Sequence, residues 1–116
     1  MKRRHPEQDL QRTVAAWLDI QQRLGRLLYY AIPMGGARSK TEAAIFKGLG
    51  VKAGVPDIAL VFPGGRAAFI ELKIGSKKLS PTQRLFIFNA TEFGAYTEVC
   101  WSLDDVIAAI KRWTSP

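Results

Sequence analysis

The chain has 116 residues, enough for one domain around one hydrophobic core. Hydrophobic residues make up 47% of it, which excludes a disordered chain, and no apolar run is long enough to span a bilayer. Lys and Arg outnumber Asp and Glu by 17 to 10, and the resulting charge of +7 favours a polyanionic partner, nucleic acid first.

In chain order, the basic start Met1–Arg4 runs into Pro6 and acidic residues rather than an apolar signal core. A helix is expected from about Glu7 to Leu24. Pro6 suits its first turn, Glu7 and Asp9 complement its positive end, and Leu10, Val14, Trp17 and Leu18 form an apolar stripe at helical spacing. Gly25 ends it. Leu27–Ile32 reads as a strand closed by Pro33, and Met34–Lys40 as a loop. Ser39-Lys40-Thr41-Glu42 fits a capping box before a short helix from Lys40 to Gly48.

Gly48, Gly50 and Gly54 punctuate the approach to Pro56. Asp57–Phe62 and Arg66–Ile74 read as a hairpin around Pro63-Gly64-Gly65. Ser80-Pro81-Thr82-Gln83 opens the next helix with a serine cap, a first-turn proline and a box-closing glutamine; that helix ends near Gly94. Tyr96–Trp101 is the last strand. Ser102 caps a final helix that turns Leu103, Val106, Ile107 and Ile110 inward. The order is α-β-β-β-α-β-α with one short extra helix, an α/β chain with a mixed four-stranded sheet. The hairpin strands are antiparallel, and the helix between the third and fourth strands makes those two parallel. No repeat or linker divides it, so residues 1–116 are expected to form one domain.

The chemistry concentrates on the hairpin. Side chains alternate along a strand, so in Ile70-Glu71-Leu72-Lys73-Ile74 the charged pair Glu71 and Lys73 shares one face and the apolar residues share the other. A bare Glu-x-Lys is more often an exposed ion pair. The position of Asp57 decides otherwise. With a two-residue turn, Asp57 would face Leu72 and point away from Glu71. With a three-residue connection of Pro63, Gly64 and Gly65 it lies opposite Glu71, and the glycines suit the left-handed bulge that such a connection uses. Two facing carboxylates repel unless a cation lies between them. Oxygen donors favour Mg2+ or Mn2+, and Lys73 beside that ion can stabilise charge on a phosphate.

Pro56-Asp57 followed by Glu71-Leu72-Lys73 resembles the PD-(D/E)xK signature of a large nuclease superfamily, and the predicted element order is similar to that fold. The blocks Glu7–Gln11, Gly54–Asp57, Ile70–Lys73, Leu79–Gln83 and Gly94 resemble the VRR-NUC family, the virus-type replication-repair nucleases. The resemblance implies metal-dependent hydrolysis of DNA, branched or duplex. It implies Asp57, Glu71 and the backbone carbonyl of Leu72 as metal ligands and Lys73 as the catalytic lysine. Glu7 is implied as a first-helix acid completing the site directly or through water, and Gln83 as the helix glutamine that reaches it. Relatives often carry an asparagine before the glycines of the loop after the first strand. Pro33-Met34-Gly35-Gly36 stands there instead, so that loop receives no role.

Each residue also has a plainer explanation. Glu7 suits a helix dipole, and Gln83 is already accounted for by its capping box. Arg38, Lys40, Lys47, Lys52, Lys77 and Lys78 are the candidate phosphate contacts, with a solvated basic face as the alternative. Trp17, Trp101 and Trp113 are assigned to packing rather than base stacking, and His5 to the surface. Cys100 is expected in the core; a lone cysteine excludes an internal disulfide and suits a cytoplasmic location. Phe46, Leu49 and Val51, in a glycine-punctuated segment, supply more apolar surface than one small core needs. A homodimer is therefore expected, as the resemblance to stand-alone members also implies. The competing functions are a basic DNA-binding module without catalysis and a subunit of a larger repair or packaging complex.

Overall fold

The structure is a computed structural model, and it describes residues 5–33 and 39–116. Arg38 and the glycine loop before it lie outside the described residues. The elements are α1 (Pro6–Arg23), β1 (Leu28–Ala31), α2 (Lys40–Gly48), β2 (Ile58–Val61), β3 (Ala67–Leu72), α3 (Pro81–Glu92), β4 (Tyr96–Cys100) and α4 (Leu103–Thr114). They follow the expected order. The four strands lie side by side in sequence order, with β1–β2 and β2–β3 antiparallel and β3–β4 parallel.

The sheet separates two layers of helix. On one face Ile58, Leu60, Phe62, Ala68, Ile70 and Leu72 form the core with Val14 and Leu18 of α1 and Val106 and Ile110 of α4. The apolar stripe foreseen for α1 is this contact; Leu10 and Trp17 pack at its margin. Cys100 is fully buried there, and burial pushes its thiol up to about 12, so it is a packing residue and no nucleophile. The other face carries α3, where Phe69 meets Phe86 edge to face with ring centroids 5.2 Å apart.

The hairpin connection fixes everything that follows. The Phe62 N–H donates to the Arg66 carbonyl and the Gly65 N–H to the Phe62 carbonyl, each at 2.9 Å. Gly64 and Gly65 adopt φ of +92° and +86°, a region that residues with a Cβ rarely enter. Three residues therefore turn the chain, and Ile58 pairs with Ile70. One step further along that register places Asp57 opposite Glu71.

The two anticipated capping boxes differ. At α3 the box is complete: Ser80 Oγ accepts from the Gln83 N–H, and the Gln83 side chain accepts from the Ser80 N–H. At α2 only half forms. Ser39 Oγ accepts from the Glu42 N–H, but the Glu42 carboxylate turns to the Ser39 hydroxyl at 3.3 Å rather than to its backbone. α2 buries none of its residues.

Candidate active site

β3 ends by delivering two charged side chains into the α3 side of the sheet. Glu71 is 4% exposed and Lys73 is 8% exposed. Those values exclude the exposed ion pair that Glu-x-Lys suggests most often. Lys73 Nζ lies 3.5 Å from Glu71 Oε2. The end of the strand is pinned by the Lys73 N–H, which donates to the Cys100 carbonyl of β4 at 3.0 Å.

Asp57 approaches from β2, and its Oδ2 accepts from the Leu72 N–H at 2.8 Å. In a strand the N–H and C=O of one residue face the same neighbour, so the Leu72 carbonyl also faces the Asp57 side. The Asp57 carboxyl is close enough to Glu71 for its negative charge to act on it. Burial pushes Glu71 up to about 7; the neighbouring negative charge of Asp57 pushes the same way, and Lys73 opposes them. Glu71 Oε1 is buried and has no hydrogen-bond partner among the described residues.

Gln83 closes the cluster from α3. Its Nε2 donates to Glu71 Oε2 at 2.8 Å, and its Oε1 accepts from Lys73 Nζ at 3.0 Å and from the Ser80 N–H at 2.9 Å. An ammonium and a backbone N–H can only donate, so the amide oxygen must face them and the amide nitrogen must face the carboxylate. The capping box and the site contact are thus one arrangement. Sequence reasoning treats them as alternatives, because a capping motif is local and says nothing of where the capped helix lands.

The loop before Asp57 is fitted to the same helix end. Gly54 adopts φ of +82°, and a Cβ there would fall 2.5 Å from the Thr82 carbonyl carbon. Only glycine permits this approach. The glycine punctuation of the segment is visible in the sequence, but the neighbour is not.

Asp57, Glu71, Lys73 and Gln83 therefore come together. Glu7 does not join them directly: its exposed carboxylate lies 3.5 Å from Lys77 Nζ. Among the described residues no group of three or more His, Cys, Asp or Glu side chains stands ready for a metal. Lys40, Lys47, Lys52, Lys77 and Lys78 are all exposed. The donors at the centre suit a hard divalent cation: two neighbouring carboxyls, one with a buried oxygen that no described residue bonds, and a backbone carbonyl on the same side.

The sequence matches the VRR-NUC domain family over residues 1–104. A solved "VRR_NUC domain protein" superposes with a TM-score of 0.74 at 26% identity, over 97% of this chain and 91% of that one. A second solved "VRR_NUC domain" gives 0.66 at 19% identity, over 95% and 99%, a likeness of fold. Among curated proteins nothing matches. No helix among the described residues is long and apolar enough to cross a membrane. With its α/β layers and mixed sheet arranged as in PD-(D/E)xK nucleases, the chain belongs to the VRR-NUC family, a family of nuclease type.

Proposed function

We propose that this protein hydrolyses phosphodiester bonds in DNA, with branched DNA as the preferred substrate, and that Asp57, Glu71 and the Leu72 carbonyl hold Mg2+ or Mn2+ for the purpose. The observation that carries the reading is Glu71 Oε1, a buried carboxylate oxygen with no hydrogen-bond partner among the described residues, beside a second carboxyl. An unpaired buried acceptor costs about 1–3 kcal/mol, and a cation between the two acids would remove that cost. When bound, the cation supplies Lewis-acid activation of water and neutralises charge on the phosphate.

The remaining steps belong to side chains. Lys73 holds its ammonium beside Glu71, where it stabilises negative charge growing on the scissile phosphate. Gln83 keeps that ammonium and the Glu71 carboxylate in register, so neither must reorganise during the reaction. Glu7 acts through water; its contact with Lys77 is exposed and therefore cheap to exchange. Lys40, Lys47, Lys52, Lys77 and Lys78, with Arg38, grip flanking phosphates.

Two copies acting across a twofold axis would cut both strands of a junction. α2 supports this: a nine-residue helix is marginal alone, it buries no residue, and it exposes Ile45 and Leu49. A basic binding module needs Lys and Arg but has no use for buried, mutually repelling acids, which favours catalysis over that alternative.

The test is a panel of labelled branched and linear DNAs with Mg2+, Mn2+ or EDTA. Metal-dependent cuts should appear, strongest on branched substrates. Asp57→Ala and Glu71→Ala should lose activity by at least about a thousandfold while retaining DNA binding in EDTA. Full activity in either variant, or no cleavage with either metal, overturns the proposal.

A further inference from the structure

A second concavity lies at the other end of the sheet. Phe62 closes β2 there, five residues from Asp57 and about 16 Å along the strand, and its side chain belongs to the α1–α4 face rather than the α3 face. The cavity holds about 660 Å³, within the range of small-molecule sites, and lies between α1, the hairpin tip, the start of β4 and the end of α4.

Its chemistry is of two kinds. One wall is aromatic: Tyr96 and Trp113 stack with centroids 5.3 Å apart and planes 3° from parallel, Phe62 meets both edge to face, and Trp17 lines the α1 side. The other kind is cationic. Arg26, Arg66 and Lys111 line the cavity, and no acidic residue does. Arg66 is fixed over the Tyr96 ring at 4.5 Å and donates to the Gly94 carbonyl. Arg26 donates one guanidinium N–H to Gln21, and neither it nor Lys111 has an ion-pair partner among the described residues. Trp17 and Trp113 do pack against the core, as the sequence suggests, and also keep a flank on this cavity; Trp101, expected to pack as well, is 48% exposed.

From this juxtaposition of a stacked aromatic wall with three unopposed cations, we infer that the cavity binds a nucleotide, its base on the Tyr96–Trp113 wall and its phosphate between Arg26 and Lys111. Aromatic platforms accept any base, because every base has a π-face, and guanidinium and ammonium donors hold a phosphate in any sequence. The nucleotide is either free or the unpaired end of a strand; both present the same chemistry. Neither Asp57 nor Glu71 takes part, so the site stands or falls apart from the nuclease reading.

Nitrogen-15 spectra of the protein in EDTA test this, since the three indole N–H groups act as separate reporters. Trp17 and Trp113 line the cavity, and Trp101 lies beyond the opposite end of β4. Deoxyadenosine monophosphate at about 1 mM should shift the first two signals and leave Trp101 unmoved. Deoxyadenosine, without the phosphate, should bind at least about tenfold more weakly, as should the nucleotide to Arg26→Gln/Lys111→Gln, a pair of exposed positions whose change spares the core. Asp57→Ala should keep the shifts, which separates this site from phosphate captured by the catalytic pair. A hairpin DNA with an unpaired end that shifts the signals at lower concentration than the mononucleotide identifies a strand end as the occupant; the reverse order identifies the free nucleotide. Unmoved Trp17 and Trp113 signals, or undiminished affinity in the double variant, overturn the inference.

Discussion

Asp57 Oδ2 accepts a hydrogen bond from the Leu72 N–H at 2.8 Å, which fastens the aspartate of one strand to the strand that carries Glu71. The two carboxyls are thereby held as neighbours although they would repel as ions. Burial, with Asp57 alongside, pushes Glu71 up to about 7, so a proton stays on it well above the usual carboxylate range.

That proton gives a stability profile of definite sign. The folded pKa of Glu71, about 7, lies above its ordinary value of 4.5, so its favourable contribution is complete below about pH 4.5 and is lost as pH rises through 7. In EDTA, thermal melts should show the protein less stable at about pH 8 than at about pH 5. Glu71→Gln should remove that difference and gain roughly 1–3 kcal/mol at the higher pH. Magnesium should stabilise the parent at about pH 8 and leave the variant unmoved. A pH dependence identical in the two proteins would show that Glu71 carries no such burden.

Gln83 serves as both cap and positioning residue, and two variants separate the roles. Ser80→Ala removes the hydroxyl that caps α3 and should cost about 1 kcal/mol of stability with activity within a few-fold of the parent. Gln83→Ala removes the bonds to Glu71 and Lys73 as well, and kcat should fall by about tenfold to a hundredfold with KM little changed. Equal losses of kcat in the two variants would reduce Gln83 to a capping residue.

Gly54→Ala should be severe for a position on a half-buried loop. The new methyl would meet the Thr82 backbone at 2.5 Å, and the φ of +82° disfavours any Cβ. We expect a loss of roughly 2–4 kcal/mol in denaturant unfolding, with activity falling further because the loop leads into Asp57. Gly50→Ala is the control: its φ is also positive, at +93°, but the methyl would meet nothing within 4 Å. It should cost only the backbone strain, about 1 kcal/mol. Matching losses at the two positions would mean that the contact with Thr82 is unimportant.

DNA binding in EDTA should weaken with salt at a log–log slope of about −0.9 per phosphate gripped. Replacing Lys47, Lys52, Lys77 and Lys78 by glutamine should flatten that slope by about one for each lysine that makes a contact. Lys77 tests a second point, because losing it also frees Glu7. A slope unchanged by all four substitutions would make the basic surplus incidental to binding.

Light scattering at assay concentration should give twice the chain mass. Leu49→Glu, at a residue 75% exposed, should halve it and abolish paired cuts on a junction while nicking persists. A monomeric parent that still makes paired cuts would break the connection between symmetry and double-strand cleavage.

What the sequence determined by itself is whatever depends on near neighbours. Helical spacing set the stripe Val14–Leu18, strand alternation put Glu71 and Lys73 on one face, and the Pro63-Gly64-Gly65 count set the register that brings Asp57 opposite Glu71. The serine caps of α2, α3 and α4 were equally legible, since each bond spans three residues. Only the tertiary structure decided the contacts made across long sequence separations. The Glu71–Lys73 pair is buried because α3 lands on that face of the sheet, and the Gln83 cap reaches it for the same reason. Gly54 is irreplaceable because Thr82 lies against it, and Glu7 faces Lys77, seventy residues away. The cavity lined by Arg26, Arg66, Lys111 and the stacked pair Tyr96–Trp113 draws on four separate stretches of chain. No local pattern announces such a meeting, because periodicity and capping act over a few residues, whereas these contacts depend on how whole elements pack.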